Sequence, residues 1–189
     1  MYFMMEEDKR IQNRVRFRDI ESSTHMEFEP EEFEQIQDIS VLFMLGDEDS
    51  IYPDVIETPV FMVSDRLKNL IADYDSQVEY RRVVMNQVKE NRQRIYWLLL
   101  TERIDCLDAS SEKYPNGWDK RIVLNRERIG MRRIFKAKGM QTPKVFVHLD
   151  VSESILRRDF AGILFKSVEL HEWEVKEDGS NQERGRRWC

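Results

Sequence analysis

Three histidines and two cysteines are the side chains of this sequence best suited to nucleophilic or general-base chemistry. They are His25, His148, His171, Cys106 and Cys189. A catalytic nucleophile needs a base held close enough to activate it. None of the five lies in a recognised catalytic motif, and the sequence contains no G-x-S-x-G elbow. The residue types therefore give no indication of acyl-transfer or thiol chemistry.

Metal and cofactor motifs are also missing from the sequence. Zinc sites need closely spaced Cys or His pairs, whereas His148 and His171 are each alone in their neighbourhoods. We predict that His148 is an ordinary strand residue. Cys106 lies between apolar neighbours and is predicted to be a buried thiol that packs like a small hydrophobic side chain. The seven glycines form neither a dinucleotide fingerprint nor a P-loop. We predict no metal, no cofactor and no catalytic residue.

Carboxylates are plentiful, and they leave one enzymatic alternative open. A hydrolase using Asp105 and Asp108 would need an enclosed pocket and a strongly shifted acid. The run from Asp47 to Asp49 lacks the spacing of a calcium-binding loop. Ser64 and Ser152 occupy positions at which a side-chain oxygen caps a helix, so we predict caps at both.

The charge of the chain is distributed unevenly. Fourteen acidic residues and no lysine or arginine lie between Asp19 and Asp65, and all 30 basic residues lie outside that segment. Such a field repels nucleic acid phosphates and speeds association with a basic partner. We therefore expect no direct nucleic-acid binding by this segment. One basic cluster is predicted to be a solvated face or an internal partner of the acidic segment: Arg126, Arg128, Arg132, Arg133, Lys136 and Lys138.

The length of 189 residues and the 41% of hydrophobic residues predict one folding unit with a substantial core. We predict a single α+β domain over residues 1–173, with a mostly antiparallel sheet and a few short helices packed on it. Residues 174–189 are polar and are predicted to form a tail. Neither a membrane-spanning apolar run nor a secretory signal is present, so we expect a cytoplasmic protein without membrane insertion.

Local patterns place the main elements. Residues 78–88 and 94–101 are predicted to form an antiparallel pair, and Ser64 is predicted to open a helix with an apolar face. Asp150 with Glu153 fits a capping box for a helix from Val151 to Phe160. Gly162 then suits the left-handed position after the helix end.

Two shorter apolar patterns lie within the acidic segment. Phe33 and Ile36, three residues apart after Pro30, predict a helical turn that packs inward. The apolar run 41–45 predicts a buried strand or a short loop packed on the core.

The order of apolar segments from Pro59 onward resembles a bacterial family first described as a domain of unknown function. That family was later assigned to immunity proteins of polymorphic toxin systems and is typified by a myxobacterial member. The resemblance covers roughly Met1 to Leu170. The segments that carry it are residues 59–67 (PVFMVSDRL), 96–100 (YWLLL), 104–108 (IDCLD) with Ser110 and Ser111, 122–124 (IVL), 134–136 (IFK), 144–147 (KVFV) and 160–165 (FAGILF).

This resemblance implies a protein that stays in the producing bacterium and neutralises a cognate toxin by binding it, without catalysis. Because nuclease toxins are commonly basic, we hypothesise that the acidic segment covers a basic toxin face. The candidate toxin-binding residues are Glu27, Glu29, Glu31, Glu32, Glu34, Asp47, Glu48 and Asp49. Two other classes stay open: a cytoplasmic interaction module that homo-oligomerises, and the carboxylate hydrolase.

Overall fold

The computed structural model describes residues 1–18, 20, 26–28 and 30–171. The first half of the chain contains β1 (Tyr2–Glu7), β2 (Arg16–Phe17), a 3₁₀ helix (Pro30–Gln35), β3 (Ile39–Leu45), β4 (Val55–Ile56), β5 (Met62–Ser64), α1 (Asp65–Tyr74), β6 (Glu79–Gln87) and β7 (Arg92–Leu100). The second half contains β8 (Arg103–Ile104), β9 (Glu112–Lys113), β10 (Asp119–Arg121), β11 (Val123–Asn125), α2 (Arg126–Ile129), β12 (Ile134–Ala137), β13 (Val145–His148), α3 (Leu149–Leu156), β14 (Ile163–Ser167) and β15 (Glu169–His171).

Two larger sheets organise these strands. The first has the order β14-β1-β13-β12-β8, and the second has the order β2-β3-β6-β7-β5-β4. Most strand pairs are antiparallel, and the parallel ones are β3 with β6, β8 with β12, and β11 with β15. The long β6–β7 hairpin runs in register from Glu79 opposite Leu100 to Gln87 opposite Arg92. The predicted α+β fold, mostly antiparallel with a few short helices, is confirmed.

The main core lies between one face of the first sheet, helices α1 and α3, and part of the second sheet. Alternate residues of β1 and β13 point into it, since side chains alternate across a strand. Its members from these elements include Met5, Val145, Val147, Leu67, Leu70, Ile71, Leu99, Val151 and Ile155. The opposite face of the first sheet forms a smaller cluster around Tyr2, Phe135 and Phe146.

Helix α1 begins where the sequence predicts it. The Ser64 side chain accepts a hydrogen bond from the Leu67 backbone N–H at 3.3 Å, so Ser64 is the N-cap. Leu67, Leu70 and Ile71 are buried on one face of the helix, as expected from their spacing. This cap satisfies one of the backbone N–H groups that the first turn of a helix leaves free.

Helix α3 begins earlier than predicted, and both predictions for its start are wrong. It spans Leu149–Leu156, and its N-cap His148 makes no side-chain capping bond. Ser152 lies inside the helix and donates to the Leu149 carbonyl at 2.8 Å. Asp150 lies in the first turn, where it accepts a hydrogen bond from the Val151 N–H. The last residue of β13, His148, is therefore also the N-cap of α3, and it lacks the side-chain bond that a capping box requires.

Gly162 has the predicted positive φ, 75°, but it does not follow the helix end directly. It lies at the turn into β14, six residues beyond Leu156. No helix in the described part of the chain is long and apolar enough to cross a bilayer. The tail predicted for residues 174–189, which includes Cys189, lies outside the described residues.

Candidate partner-binding surface

One face of the second sheet is covered by the acidic segment itself. Val83, Met85 and Leu98 point to this side and pack with Phe33 of the 3₁₀ helix, which is 7% exposed. Ile36 is partly buried against the same cluster. The predicted inward packing of Phe33 and Ile36 is confirmed. Because Phe33 and Ile36 pack in this cluster, the neighbouring glutamates of the 3₁₀ helix lie on the outside of the molecule.

The other face of the second sheet is only partly covered. Helix α1 packs over its β5 and β7 side, where Val63 and Leu99 are buried. Six strands spaced about 4.8 Å apart span roughly 24 Å, whereas a helix is about 10 Å wide with its side chains. One helix therefore covers about two strands. The β3 and β6 side of this face has no helix over it among the described residues.

We call the uncovered apolar residues of this sheet the open face. They are Ile39, Val41, Phe43 and Leu45 of β3, Val84 of β6 and Ile95 of β7. Their position follows from the register, because Val41 lies opposite Val84 and Val84 lies opposite Ile95. An apolar row thus crosses three strands and meets an apolar column that runs along β3.

The open face corrects the prediction for residues 41–45. This run is a strand, but only Met44 of its residues is buried, at 5% exposure. Val41 is 52% exposed, and Phe43 is 45% exposed. A continuous apolar run indicates a strand buried on both faces. Here the second face lacks a covering layer, which no property of the run itself reveals.

The predicted toxin-binding residues lie at three places. Glu31, Glu32 and Glu34 are exposed on the 3₁₀ helix, before β3 begins. Asp47, Glu48 and Asp49 are exposed in the turn that follows β3. Seven strand residues separate the two groups, so they lie on the order of 25 Å apart. Glu27 lies elsewhere, and Glu29 is outside the described residues.

Glu27 is turned toward the first sheet. Its carboxylate pairs with Arg103 of β8 and lies 3.5 Å from the Lys136 Nζ of β12. Lys136 and Arg103 are directly opposite each other in the parallel β8–β12 pair. Two cations in that position repel each other, and the carboxylate offsets the repulsion. Glu27 therefore has a structural role.

We expect Glu27→Gln to lower the free energy of unfolding by about 1 to 2 kcal/mol, because it removes one charged partner from two largely buried cations. Urea denaturation at neutral pH measures this difference. Glu31→Gln is the matched control, and it should change the stability by less than about 0.5 kcal/mol, as exposed substitutions do. Equal effects of the two substitutions would contradict the structural role of Glu27.

The predicted basic cluster is largely engaged in ion pairs within the molecule. Arg132 binds Glu102 through two hydrogen bonds, and Arg133 lies 3.3 Å from Asp150. Lys136 is the member that meets the acidic segment, through Glu27. The interpretation of this cluster as an internal partner of the acidic segment is thus confirmed for Lys136. Arg128, Arg132 and Arg133 pair instead with Asp105, Glu102 and Asp150, which lie outside the acidic segment.

The residues considered for catalysis lack the expected geometry. The Asp105 side chain is 80% exposed and lies 3.7 Å from Arg128. The hydrogen bond from the Ser110 side chain, followed by that from its backbone N–H, lowers the pKa of Asp108, which disfavours a general acid. Burial raises the pKa of the Cys106 thiol to about 11, so the predicted unreactive buried thiol is confirmed.

A charged cleft of about 560 Å³ lies beside β1, β10 and β15. Its Lys144 Nζ is 2.8 Å from Glu57 and 3.0 Å from Glu6. Burial lowers the pKa of Lys144, but its hydrogen bonds and charge attraction to these carboxylates outweigh that effect and raise the pKa overall. A lysine held in its protonated form is unsuited to act as a nucleophile or base. The cleft is therefore best explained as a structural ion cluster.

The described residues contain no group of three or more His, Cys, Asp or Glu side chains placed to hold a metal ion. The fold and the surface together define an α+β protein with an unusually apolar, accessible sheet face of the kind found at protein contacts. A model of the immunity protein family (Imm11) matches residues 2–169, and the chain belongs to that family. No curated protein matches it.

Proposed function

We propose that this protein is an immunity protein that binds one cognate toxin in the cytoplasm of the producing bacterium and neutralises it by covering a functional surface. The match of the immunity protein family to residues 2–169 carries this proposal. Residues 1–173 act as one binding domain. Neutralisation proceeds through contact alone, with no catalytic step, no cofactor and no nucleic acid.

The ion-pair partners of the charged side chains support binding over catalysis. The buried carboxylates and cations form ion pairs with each other, such as Glu6 with Lys144 and Glu27 with Lys136. Exposed carboxylates lie on both sides of β3. Enzymes instead concentrate perturbed acids and bases in an enclosed pocket. The hydrolase alternative with Asp105 and Asp108 is disfavoured, because the Asp105 side chain is 80% exposed.

The experiment is co-expression with the toxin encoded by the neighbouring gene. Cells that make the toxin with this protein should grow, and cells that make the toxin alone should not. An unrelated toxin with a different fold is the control, and this protein should give no protection against it. Loss of growth in the presence of both cognate proteins would contradict the immunity role.

We further propose that the exposed carboxylates on both sides of β3 steer a basic toxin to the protein. Replacing Glu31, Glu34, Asp47 and Asp49 together by lysine should slow association at least about tenfold at low salt. The difference should shrink as salt is added, because exposed charges are screened. Stopped-flow association measured at two ionic strengths tests this.

Glu153→Lys is the control substitution, because it places a charge reversal on the exposed side of α3. It should leave the association rate unchanged. An unchanged rate and an unchanged salt dependence for the fourfold variant would show that the acidic segment does not guide the toxin.

A further inference from the structure

We propose that Asn116 is a site of spontaneous chemical modification in the folded protein, at which the side-chain amide is converted to a carboxylate through a cyclic imide formed with the backbone nitrogen of Gly117. The overall reaction consumes one water molecule and releases one ammonia molecule. The site lies in a surface turn outside the acidic segment, and its reaction does not depend on the proposed immunity role.

The reaction joins two atoms of adjacent residues. Hydroxide removes the proton of the Gly117 backbone N–H, and this nitrogen attacks the side-chain carbonyl carbon, Cγ, of Asn116. The Cγ–Nδ2 bond breaks, and the amide group takes a proton from water and leaves as ammonia. Water then opens the five-membered succinimide ring at one of its two carbonyl carbons. One opening gives aspartate, and the other gives isoaspartate, in which the backbone runs through the former side chain.

The glycine after Asn116 removes the main steric barrier to this attack. A side chain on the residue that follows an asparagine crowds the attacking nitrogen, whereas glycine has no Cβ atom. Of the seven asparagines in the sequence, Asn116 alone precedes a glycine. The turn also has space for the ring, because even a Cβ added at Gly117 would come no closer than 3.7 Å to its nearest neighbour, the Gln141 Oε1.

The hydrogen bonding of the turn holds the two reacting atoms close together. The Asn116 Oδ1 accepts a hydrogen bond from the Trp118 backbone N–H at 3.2 Å. In this arrangement an asparagine side chain folds back over its own backbone, and the ring that the bond closes contains both the Asn116 Cγ and the Gly117 nitrogen. Such proximity speeds an intramolecular attack. The Trp118 N–H also faces the oxygen on which negative charge develops, and a donor in that position stabilises the charge.

The turn is open to water and hydroxide. Asn116 is exposed, and Tyr114 and Trp118 on either side of the turn are 51% and 53% exposed. One hydrogen bond must break before the attack, because the Gly117 N–H donates to the Tyr114 carbonyl at 2.9 Å. This bond lies at the tip of the short β9–β10 hairpin. Exposed hydrogen bonds of this kind open locally, without unfolding of the domain.

Either product changes the end of the hairpin. A new carboxylate appears between two half-exposed aromatic side chains, those of Tyr114 and Trp118. Isoaspartate also lengthens the backbone by one carbon atom before Gly117, which displaces the Gly117 N–H from the Tyr114 carbonyl. The hairpin of older molecules therefore differs from that of newly made ones in both charge and turn geometry.

The test is incubation of the purified, folded, full-length protein at neutral and at mildly alkaline pH. Mass spectrometry of tryptic peptides identifies the converted residue, and a methyltransferase specific for isoaspartate labels that product. Asn116 should convert at least about ten times faster than Asn91, a difference in activation free energy of about 1.4 kcal/mol. Asn91 is the matched control within the same molecule, because it is exposed in the β6–β7 turn but precedes Arg92. Conversion should be faster at the higher pH, since hydroxide removes the Gly117 proton.

Two variants test the chemistry. Gly117→Ala should slow the conversion at least about tenfold, because the added Cβ crowds the attacking nitrogen. Asn116→Gln should give no product in the same time, because its longer side chain would have to close a six-membered ring. Conversion of Asn116 in urea but not in the folded protein would show that the turn protects this residue, and would overturn the proposal. Equal rates for Asn116 and Asn91 would overturn it as well.

Discussion

Asp54→Asn is expected to lower the free energy of unfolding by about 2 kcal/mol at pH 7, since it removes the charge of a buried carboxylate that accepts hydrogen bonds from a half-exposed arginine, a serine and a backbone amide. Asp54 is 4% exposed and accepts hydrogen bonds from Arg66 at 2.9 and 2.7 Å. It also accepts from the Ser64 hydroxyl and from the Ala161 N–H. The side-chain NH₂ group of an asparagine would face some of these N–H and O–H groups and could not accept their hydrogen bonds. Guanidinium denaturation measures the loss, and exposed Asp49→Asn is the control with an expected effect below about 0.5 kcal/mol.

The same residue predicts a pH dependence. Burial raises the pKa of Asp54, but the hydrogen bonds from Arg66, Ser64 and Ala161 outweigh it and lower the pKa below its ordinary value. A carboxyl with a lower pKa in the folded state stabilises the fold above its unfolded pKa, about 3.9, and loses that contribution as the pH falls further. The stability difference between the wild type and Asp54→Asn should therefore shrink below about pH 4. A constant difference from pH 7 to pH 3 would contradict the assignment.

Gly162→Ala is expected to destabilise the protein by about 3 kcal/mol, for two reasons that add. Its φ of 75° costs a residue with a side chain about 1 to 2 kcal/mol. A Cβ atom there would also lie 2.5 Å from the Pro53 Cβ, so the rigid proline ring must shift, and it would be a tight 3.1 Å from the Pro53 Cα. Thermal and urea denaturation both report this loss.

Gly117→Ala separates the two contributions. Gly117 has a similar φ, 86°, but the nearest atom to its added Cβ is the Gln141 Oε1 at 3.7 Å, an ordinary contact. It should show only the conformational cost, about 1 kcal/mol. If the two alanine variants were equally destabilised, the contact between Gly162 and Pro53 would carry no energetic weight.

Local signals were sufficient for the elements whose stabilising contacts lie close in sequence. Ser64 caps α1 through an N–H three residues away, and Leu67, Leu70 and Ile71 share one helix face by their spacing alone. The β6–β7 hairpin likewise follows from two apolar runs separated by a short polar turn. A pattern identifies such elements because both partners of each interaction are present in it.

Local patterns gave a wrong prediction where a segment distant in sequence sets the backbone conformation. Asp150 and Glu153 have the spacing of a capping box, yet α3 already begins at Leu149. The Leu149 N–H donates to the carbonyl of Met1, so the N-terminal strand determines the backbone at this point. A contact across nearly 150 residues cannot be read from a four-residue pattern.

The acidic segment, the buried Cys106, the α+β class and the resemblance to immunity proteins could all be predicted from the sequence, because composition, local periodicity and the order of segments depend only on the order of residues. The tertiary contacts set which side chains are exposed. They turn Glu27 inward to two cations of the first sheet and leave Val41 and Phe43 exposed, because α1 and the first sheet cover only the β7, β5 and β4 side of the second sheet. Whether a side chain is exposed depends on what covers it, and the covering layer comes from elsewhere in the chain.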